Sequence, residues 1–369
     1  KHTDGPAIQL SGIGNTIENC LFHHIDWSTA HGDSKPIGSD QCAEFLFRRN
    51  TMHTTGGAEG VSGGFAADNL SHVGDFTTNG DGWLEAPAIS YDEVYPNIFE
   101  LNDLYNMGTI QSDGAHIQFN PAGMPGAIVR YNWAHDSDKN GLRFDGGGGW
   151  PVTQGVNGTM HHNVVWNTRK ISVKGDSHFV VNNTSVDGSQ PDIIIYNQEN
   201  FNGFNTRTVV ANNAADQITS SNSGVNGVFP GIADGNYIGE LDGEIVRKNL
   251  MDFPQRDFRP KPGSSLVDAG TVIDGFEPGD FAGAGLPFGN VQAHARALTG
   301  GFVGAAPDIG AYELGADEYW IPGRRGRRAS RPIPNLRAVD QPVDRDLIFL
   351  LGYGGIDADI YLGESPSAV

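Results

Sequence analysis

Met160-His-His-Asn163-Val-Val-Trp166 and, twenty residues on, Val180-Val-Asn-Asn183-Thr-Ser-Val186 decide the fold. Each is a short β-prone stretch, an Asn, and a second short β-prone stretch. The same pattern stands upstream as Ile17-Glu-Asn19-Cys-Leu-Phe22, Arg48-Arg-Asn50-Thr-Met52, Glu100-Leu-Asn102-Asp-Leu-Tyr105 and Val129-Arg-Tyr-Asn132-Trp-Ala134, and downstream as Val210-Ala-Asn-Asn213-Ala-Ala215. The numbered Asn residues follow one another at 31, 52, 30, 31, 20 and 30 residues. Periods of this size mark a solenoid. Segments this short, rich in Val and Ile and without a 3.6-residue stripe, mark strands rather than helices.

These constraints predict an all-β chain built as a right-handed parallel β-helix. Successive coils stack strand on strand at about 4.8 Å, so Asn at one fixed turn aligns with Asn in the next coil and exchanges side-chain hydrogen bonds along the stack. A β-sandwich also has many short strands but does not require Asn at the same place in every unit. The 52-residue interval, which includes Thr54-Thr-Gly-Gly-Ala-Glu-Gly-Val-Ser-Gly-Gly64, predicts either a coil without its Asn or a large projecting loop. After Asn213 the period fades, and Asp257 to Gly270 and Pro307 to Glu313 read as irregular closing coils.

Composition narrows the partners. The 369 residues carry 24 Lys plus Arg against 44 Asp plus Glu, a net charge of −20, which argues against nucleic acid and against adsorption to an anionic membrane. No apolar run approaches the roughly 20 residues of a membrane helix. Two cysteines, Cys20 and Cys42, are too few for a disulfide scaffold or a structural zinc site, and one bridge or two thiols fit equally. Lys1-His2-Thr3-Asp4 is not a signal peptide, so the chain is expected to begin inside a fold. A monomer is expected.

Residues 1–315 resemble secreted bacterial parallel β-helix proteins, many of them polysaccharide lyases or glycoside hydrolases. The resemblance implies a secreted or cell-surface bacterial protein acting on a polysaccharide. Residues 316–333, with Pro322-Gly-Arg-Arg-Gly-Arg-Arg328, read as a solvated linker. Residues 334–369 contain Asp346-Leu-Ile-Phe-Leu-Leu351 and Asp359-Ile-Tyr-Leu362, which look like the opening strands of a fibronectin-type or Ig-like module, a truncated β-sandwich segment.

Alternation places the chemistry, because side chains of a strand point in and out in turn. Ala115-His-Ile-Gln-Phe119 sends Ile117 and Phe119 inward and His116 and Gln118 outward. Leu142-Arg-Phe-Asp145 exposes Arg143 and Asp145, Ile171-Ser-Val-Lys174 exposes Ser172 and Lys174, and Asp192-Ile-Ile-Ile-Tyr196 exposes Tyr196. Stacked in order, these strands present one polar face, with neighbours about 5 Å apart. Turn residues His135, Asp136 and the His161-His162 pair, and aromatic Trp133, Trp150 and Trp166, are further candidates beside it.

Three functions fit such a face. A lyase cleaving a uronic-acid polymer by β-elimination needs the carboxylate neutralised, the adjacent carbon deprotonated and the leaving oxygen protonated. Lys174, Arg143, His116 and Asp145 are the catalytic candidates for it, and Gln118, His135, Asp136, Tyr196 and Trp150 the substrate-binding ones. Alginate- and chondroitin-type lyases on this fold use a Lys and an Arg with calcium, which Lys174 and Arg143 resemble in placement. Calcium is therefore a candidate cofactor, but the Asn-Glu-Glu cluster of those lyases is absent and no metal ligand is assigned. A glycoside hydrolase needs two carboxylates, and Asp145 with Asp136, Asp113 or Asp176 would supply them. A non-catalytic carbohydrate-binding or adhesive β-helix is the third. No P-loop or dinucleotide fingerprint is present, which argues against nucleotide and hydride chemistry of those types.

Overall fold

The computed structural model describes residues 7–25, 36–56, 61–63, 97–110, 113–119, 127–145, 158–197, 205–272, 302–335, 338–339, 341–342 and 345–353. Their strands assemble into three eight-stranded parallel sheets, and consecutive members of any one sheet are three strands apart in the chain. That connectivity is a parallel β-helix. Each coil crosses the sheets in the order A, B, C. One coil runs through Ala115–Phe119 in sheet A, Ile128–Arg130 in sheet B and Trp133–His135 in sheet C. The next uses Asn140–Phe144, Thr159–His161 and Val164–Trp166. The one after uses Ile171–Val173, Phe179–Val181 and Thr184–Val186.

The register makes columns. In sheet A, Ile117, Leu142, Ile171 and Ile193 stack in one column, and Phe119, Phe144, Val173 and Ile195 in another. All eight are fully buried in one apolar core with Phe99, Val129, Met160 and Val180 from sheet B and Leu104, Ala134 and Val165 from sheet C. Alternation thus delivers an interior with few polar side chains.

Between sheets B and C the chain turns through one residue of positive φ followed by the repeated Asn, as at Tyr131-Asn132, His162-Asn163 and Asn182-Asn183. L-residues adopt that conformation at a cost, and the Asn ladder holds it. The Asn163 Oδ1 accepts from both the backbone N–H (3.1 Å) and the side-chain amide (3.0 Å) of Asn132, and its own amide donates to Asn183 Oδ1 at 2.9 Å and to the Val129 carbonyl at 2.9 Å. Both side-chain polar atoms of Asn163 are thus satisfied, at a net gain of about 0.5–1.5 kcal/mol for each such bond.

The ladder differs from the sequence pattern at both ends. Asn19 is the positive-φ residue (φ 57°), and the rung position falls on Cys20, whose N–H donates to Asn50 Oδ1 at 2.9 Å. At the far end Asn213 donates to Asn236 Oδ1, one coil beyond the point where the period fades by eye. Asn50 and Asn102 are adjacent rungs, with a 3.2 Å side-chain bond, so the 52-residue interval is one coil with a large insertion. Cys20 carries a free thiol, while the side chain of Cys42 lies outside what the structure describes.

Residues 257–270 and 307–313 are not closing coils. Past the short helices Gly239–Asp242 and Val246–Asn249 the chain reverses and runs back over the outer face of sheet C. Ala311 donates to Thr184, Trp133 to Tyr312, Gly323 to Leu101, Arg324 to Thr51 and Arg325 to Asn19. These contacts descend the whole stack. Residues 316–333, read as a solvated linker, therefore form a strap: Trp320 and Ile321 are buried in a second apolar cluster with Trp133, Val164, Trp166 and Val186. Its driving force is the apolar outward column of sheet C, which would otherwise face water. Of residues 334–369 most lie outside the described residues; Ile348–Leu350 pairs antiparallel with Ser330–Ile333 and buries Leu350 in the same cluster.

Candidate functional site on the outer face of sheet A

The outward columns of sheet A carry the polar face. Gln118, Arg143, Ser172 and Ile194 occupy successive rungs of one column. One residue beyond the paired strands, Lys174 N–H donates to the Phe144 carbonyl and Tyr196 N–H to the Val173 carbonyl, which continues the stack as Asp145, Lys174, Tyr196. A cleft of about 490 Å³ opens over these columns, lined by Asp113, Arg143, Lys170, Lys174, Tyr196 and Asn222 among others.

Its floor is an ion network. Arg143 reaches Asp113 at 2.8 Å and Asp145 at 2.6 Å, and Asp145 in turn meets Lys174 Nζ at 2.6 Å. Burial alone would lower the Arg143 pKa, but Asp145 and Asp113 outweigh it and hold the guanidinium charged. Burial would likewise raise Asp113, yet Arg143 and the Gly114 N–H bring it below the usual carboxylate range.

Above this floor Lys170 Nζ donates to Gln190 Oε1 (2.7 Å), Asn222 Oδ1 (2.7 Å) and Tyr196 Oη (2.9 Å). Burial, then the positive charges of Arg143, Arg169 and Lys174, push its ammonium down to about 8. Burial pushes the Tyr196 phenol up. Lys170 was not among the sequence candidates, although Lys170, Ser172 and Lys174 share one parity along a strand and that alternation was its signal. A second hollow of about 790 Å³ shares Gln190, Asn222 and Ser223 with the cleft and carries Asp187, Asp192, Asp216 and Glu240, so the depression continues along the surface.

Of the sequence candidates, Arg143, Asp145, Lys174 and Tyr196 converge as expected, and Asp113 joins them. Gln118 shares the Arg143 column but is only 5% exposed and does not line the cleft. His116 does not point outward. It is fully buried, and burial with the nearby His135 lowers its pKa to about 3. The reason is the corner between sheets C and A: a Cβ on Gly141, on the next rung of the same position, would meet the inward-facing Val165 and Ala134. Strand alternation breaks where the chain bends.

His135 is buried on sheet C, with Nε2 3.0 Å from Asp103 and Nδ1 2.7 Å from Asp136, and its ring stacks on Trp166 at 4.0 Å. Asp136 is held there by His135 and Asn167, away from the cleft lining. Asp176 binds Arg207 at 2.9 Å instead of joining Asp145. His161 and His162 are buried against each other, and Trp133 and Trp166 lie beneath the strap. Trp150 lies outside the described residues.

Calcium, the cofactor the fold resemblance implies, meets a poor donor set here. Asp113 in the cleft and Asp145 beside it are both engaged by Arg143, and among the described residues no group of three or more His, Cys, Asp or Glu could hold a metal ion. No step is routed through calcium below. Also among the described residues, no helix is long and apolar enough to cross a membrane.

No family model matches the chain, and no curated protein does. Among solved structures, the crystal structure of pectate lyase Pel9A is similar at 16% identity, covering 84% of this chain and 68% of that one, with a TM-score of 0.43.

Proposed function

We propose that this protein is a secreted or cell-surface bacterial polysaccharide lyase that cleaves a uronic-acid-containing polymer by β-elimination and acts as a monomer. One observation carries the reading: Arg143, Arg169, Lys170 and Lys174 line a single cleft in a chain whose net charge is −20. An acidic protein repels a polyanion unless a local basic patch intervenes, and here the basic residues gather where a strand-stacked floor holds them. Arg143 and Lys174, each already ion-paired with Asp145, are placed to lend positive charge to a substrate carboxylate, which makes the adjacent C–H more acidic and stabilises the carbanion-like transition state.

The hydrolase alternative needs one carboxyl with a raised pKa to act as acid. Asp113 is held low by Arg143, and Asp136 and Asp176 are engaged elsewhere. The test is a screen of acidic and neutral polysaccharides with two readouts. Unsaturated uronide, seen by its ultraviolet absorbance, is the expected product. Reducing ends without that absorbance would establish a hydrolase, and binding without turnover an adhesive protein.

A further inference from the structure

Neutralising a carboxylate leaves one contact of the cleft without a role. Lys170 and Tyr196 come from neighbouring rungs and touch at 2.9 Å through Nζ and Oη, with the Lys170 ammonium also 5.5 Å from the centre of the Tyr196 ring. Both are nearly buried, at 6% and 8% exposure, yet both line the cleft. Gln190 and Asn222 fix the amine from its other sides, and the Tyr196 hydroxyl donates to Asn222 Oδ1 at 3.3 Å. Two groups that can exchange a proton are therefore held side by side, facing one space.

We propose that Lys170 and Tyr196 are the base and acid of this cleft, and that their adjacency restricts it to syn elimination and so to uronates whose C5 hydrogen and 4-oxygen lie on the same face of the sugar ring. The inference rests on the lyase reading. The neutral Lys170 amine has two N–H bonds for the three acceptors around it, so one of those contacts opens and the lone pair there takes the C5 proton; the C5–H electron pair becomes the C4=C5 double bond as the C4–O4 bond breaks. The leaving oxygen takes the Tyr196 phenolic proton. The tyrosinate then sits beside the new Lys170 ammonium and recovers a proton across the same hydrogen bond, which returns both groups to their starting forms. No outside reactant is needed.

Geometry sets the stereochemistry. In anti elimination the proton leaves from one face of the ring and the oxygen from the other, so base and acid must flank the ring. Two atoms in mutual hydrogen-bond contact cannot do so. In syn elimination the two sites are on adjacent carbons and one face, about 3 Å apart, which is the reach of a positioned acid–base pair. D-glucuronate and D-mannuronate have H5 and O4 on the same face; D-galacturonate and L-guluronate have them on opposite faces.

The groups facing Lys170 are Arg143, Arg169 and Lys174, which favour its neutral form, Asp113, which opposes them, and Tyr196. The rate is therefore expected to rise with pH through about 8, while Tyr196 remains protonated.

The experiment offers the full chain polymannuronate, polyglucuronate, hyaluronan, polygalacturonate and polyguluronate, and follows unsaturated product. Cleavage of at least one of the first three, about 100-fold or more faster than of the last two, is expected. Faster cleavage of polygalacturonate or polyguluronate overturns the syn assignment and leaves the lyase reading standing. No unsaturated product from any of the five overturns both. Tyr196→Phe and Lys170→Met separate the roles. Each should lower cleavage about 10²–10⁴-fold, but in D2O the Tyr196→Phe protein should still exchange the C5 hydrogen of a substrate it cannot cleave, whereas Lys170→Met should not. Cleavage by Tyr196→Phe at the unaltered rate, or C5 exchange by a folded Lys170→Met, overturns the pair.

Discussion

Sheets A and C present outward columns built by the same rule, and the two have opposite fates. On sheet A the columns hold Arg143, Ser172, Asp145, Lys174 and Tyr196 and open into a cleft. On sheet C the outward stack His53, Tyr105, His135, Trp166 places ring on ring at 4.9, 5.1 and 4.0 Å, and at its Trp166 end Phe258 of the returning chain packs against it. The difference lies in the side chains the rungs expose. Stacked charges pair with one another and leave a polar surface open to a ligand; stacked aromatics recruit cover, here the returning chain with Tyr312 and Trp320. An outward direction is a property of a strand, while exposure is a property of whatever lies above it.

Substitutions on the two faces should therefore fail differently. Arg143→Ala is expected to reduce cleavage by at least about 100-fold, the scale of losing a preorganised charge at a reacting centre, with the coil ladder intact by circular dichroism; undiminished turnover would remove the cleft from the chemistry. On the covered face, Asp103 is buried between Arg331 (2.6 Å) and His135 (3.0 Å), which tie the strap to the stack. Asp103→Asn leaves two cationic or donor groups without their anion and should cost about 3–5 kcal/mol in denaturant unfolding, without altering activity per folded molecule. A cost under 1 kcal/mol would mean that the strap is held by apolar packing alone.

The ladder common to both faces gives a smaller, graded effect. Asn163→Ala removes a fully buried rung and should destabilise by about 1–3 kcal/mol, more than Asn236→Ala at the partly buried end, as measured by thermal unfolding. Acid should weaken the whole molecule gradually. His116 and His162 are held at about 3 and His161 well below its ordinary value, each chiefly by burial. Between their folded pKa values and about 6.5 the unfolded chain binds protons that the folded one does not, so stability should fall as pH drops through that window. Removing one of them, His116→Phe, should flatten that slope.

Much of this was legible along the chain. The Asn period revealed the coils because a buried Asn at a fixed turn needs its counterpart one rung away, a local demand that repeats. Alternation placed Arg143, Asp145, Lys174 and Tyr196 on one face because apolar residues on the other parity had to fill the core. The same alternation misplaced His116, since it does not hold through a corner.

By itself, then, the sequence determined the coil repeat, the inward columns and the four side chains that meet on sheet A, all of which follow from hydrogen bonding and burial within one or two rungs. Only the tertiary structure decided which outward residues see solvent. His135, Trp133 and Trp166 were hidden by segments arriving from far along the chain, as Arg49 bonding Ile321 across 272 positions illustrates, and no periodicity in the rungs records where such a strap will lie. Likewise Lys170 became a partner of Tyr196 through side chains that cross between rungs, a contact set by three-dimensional packing rather than by spacing.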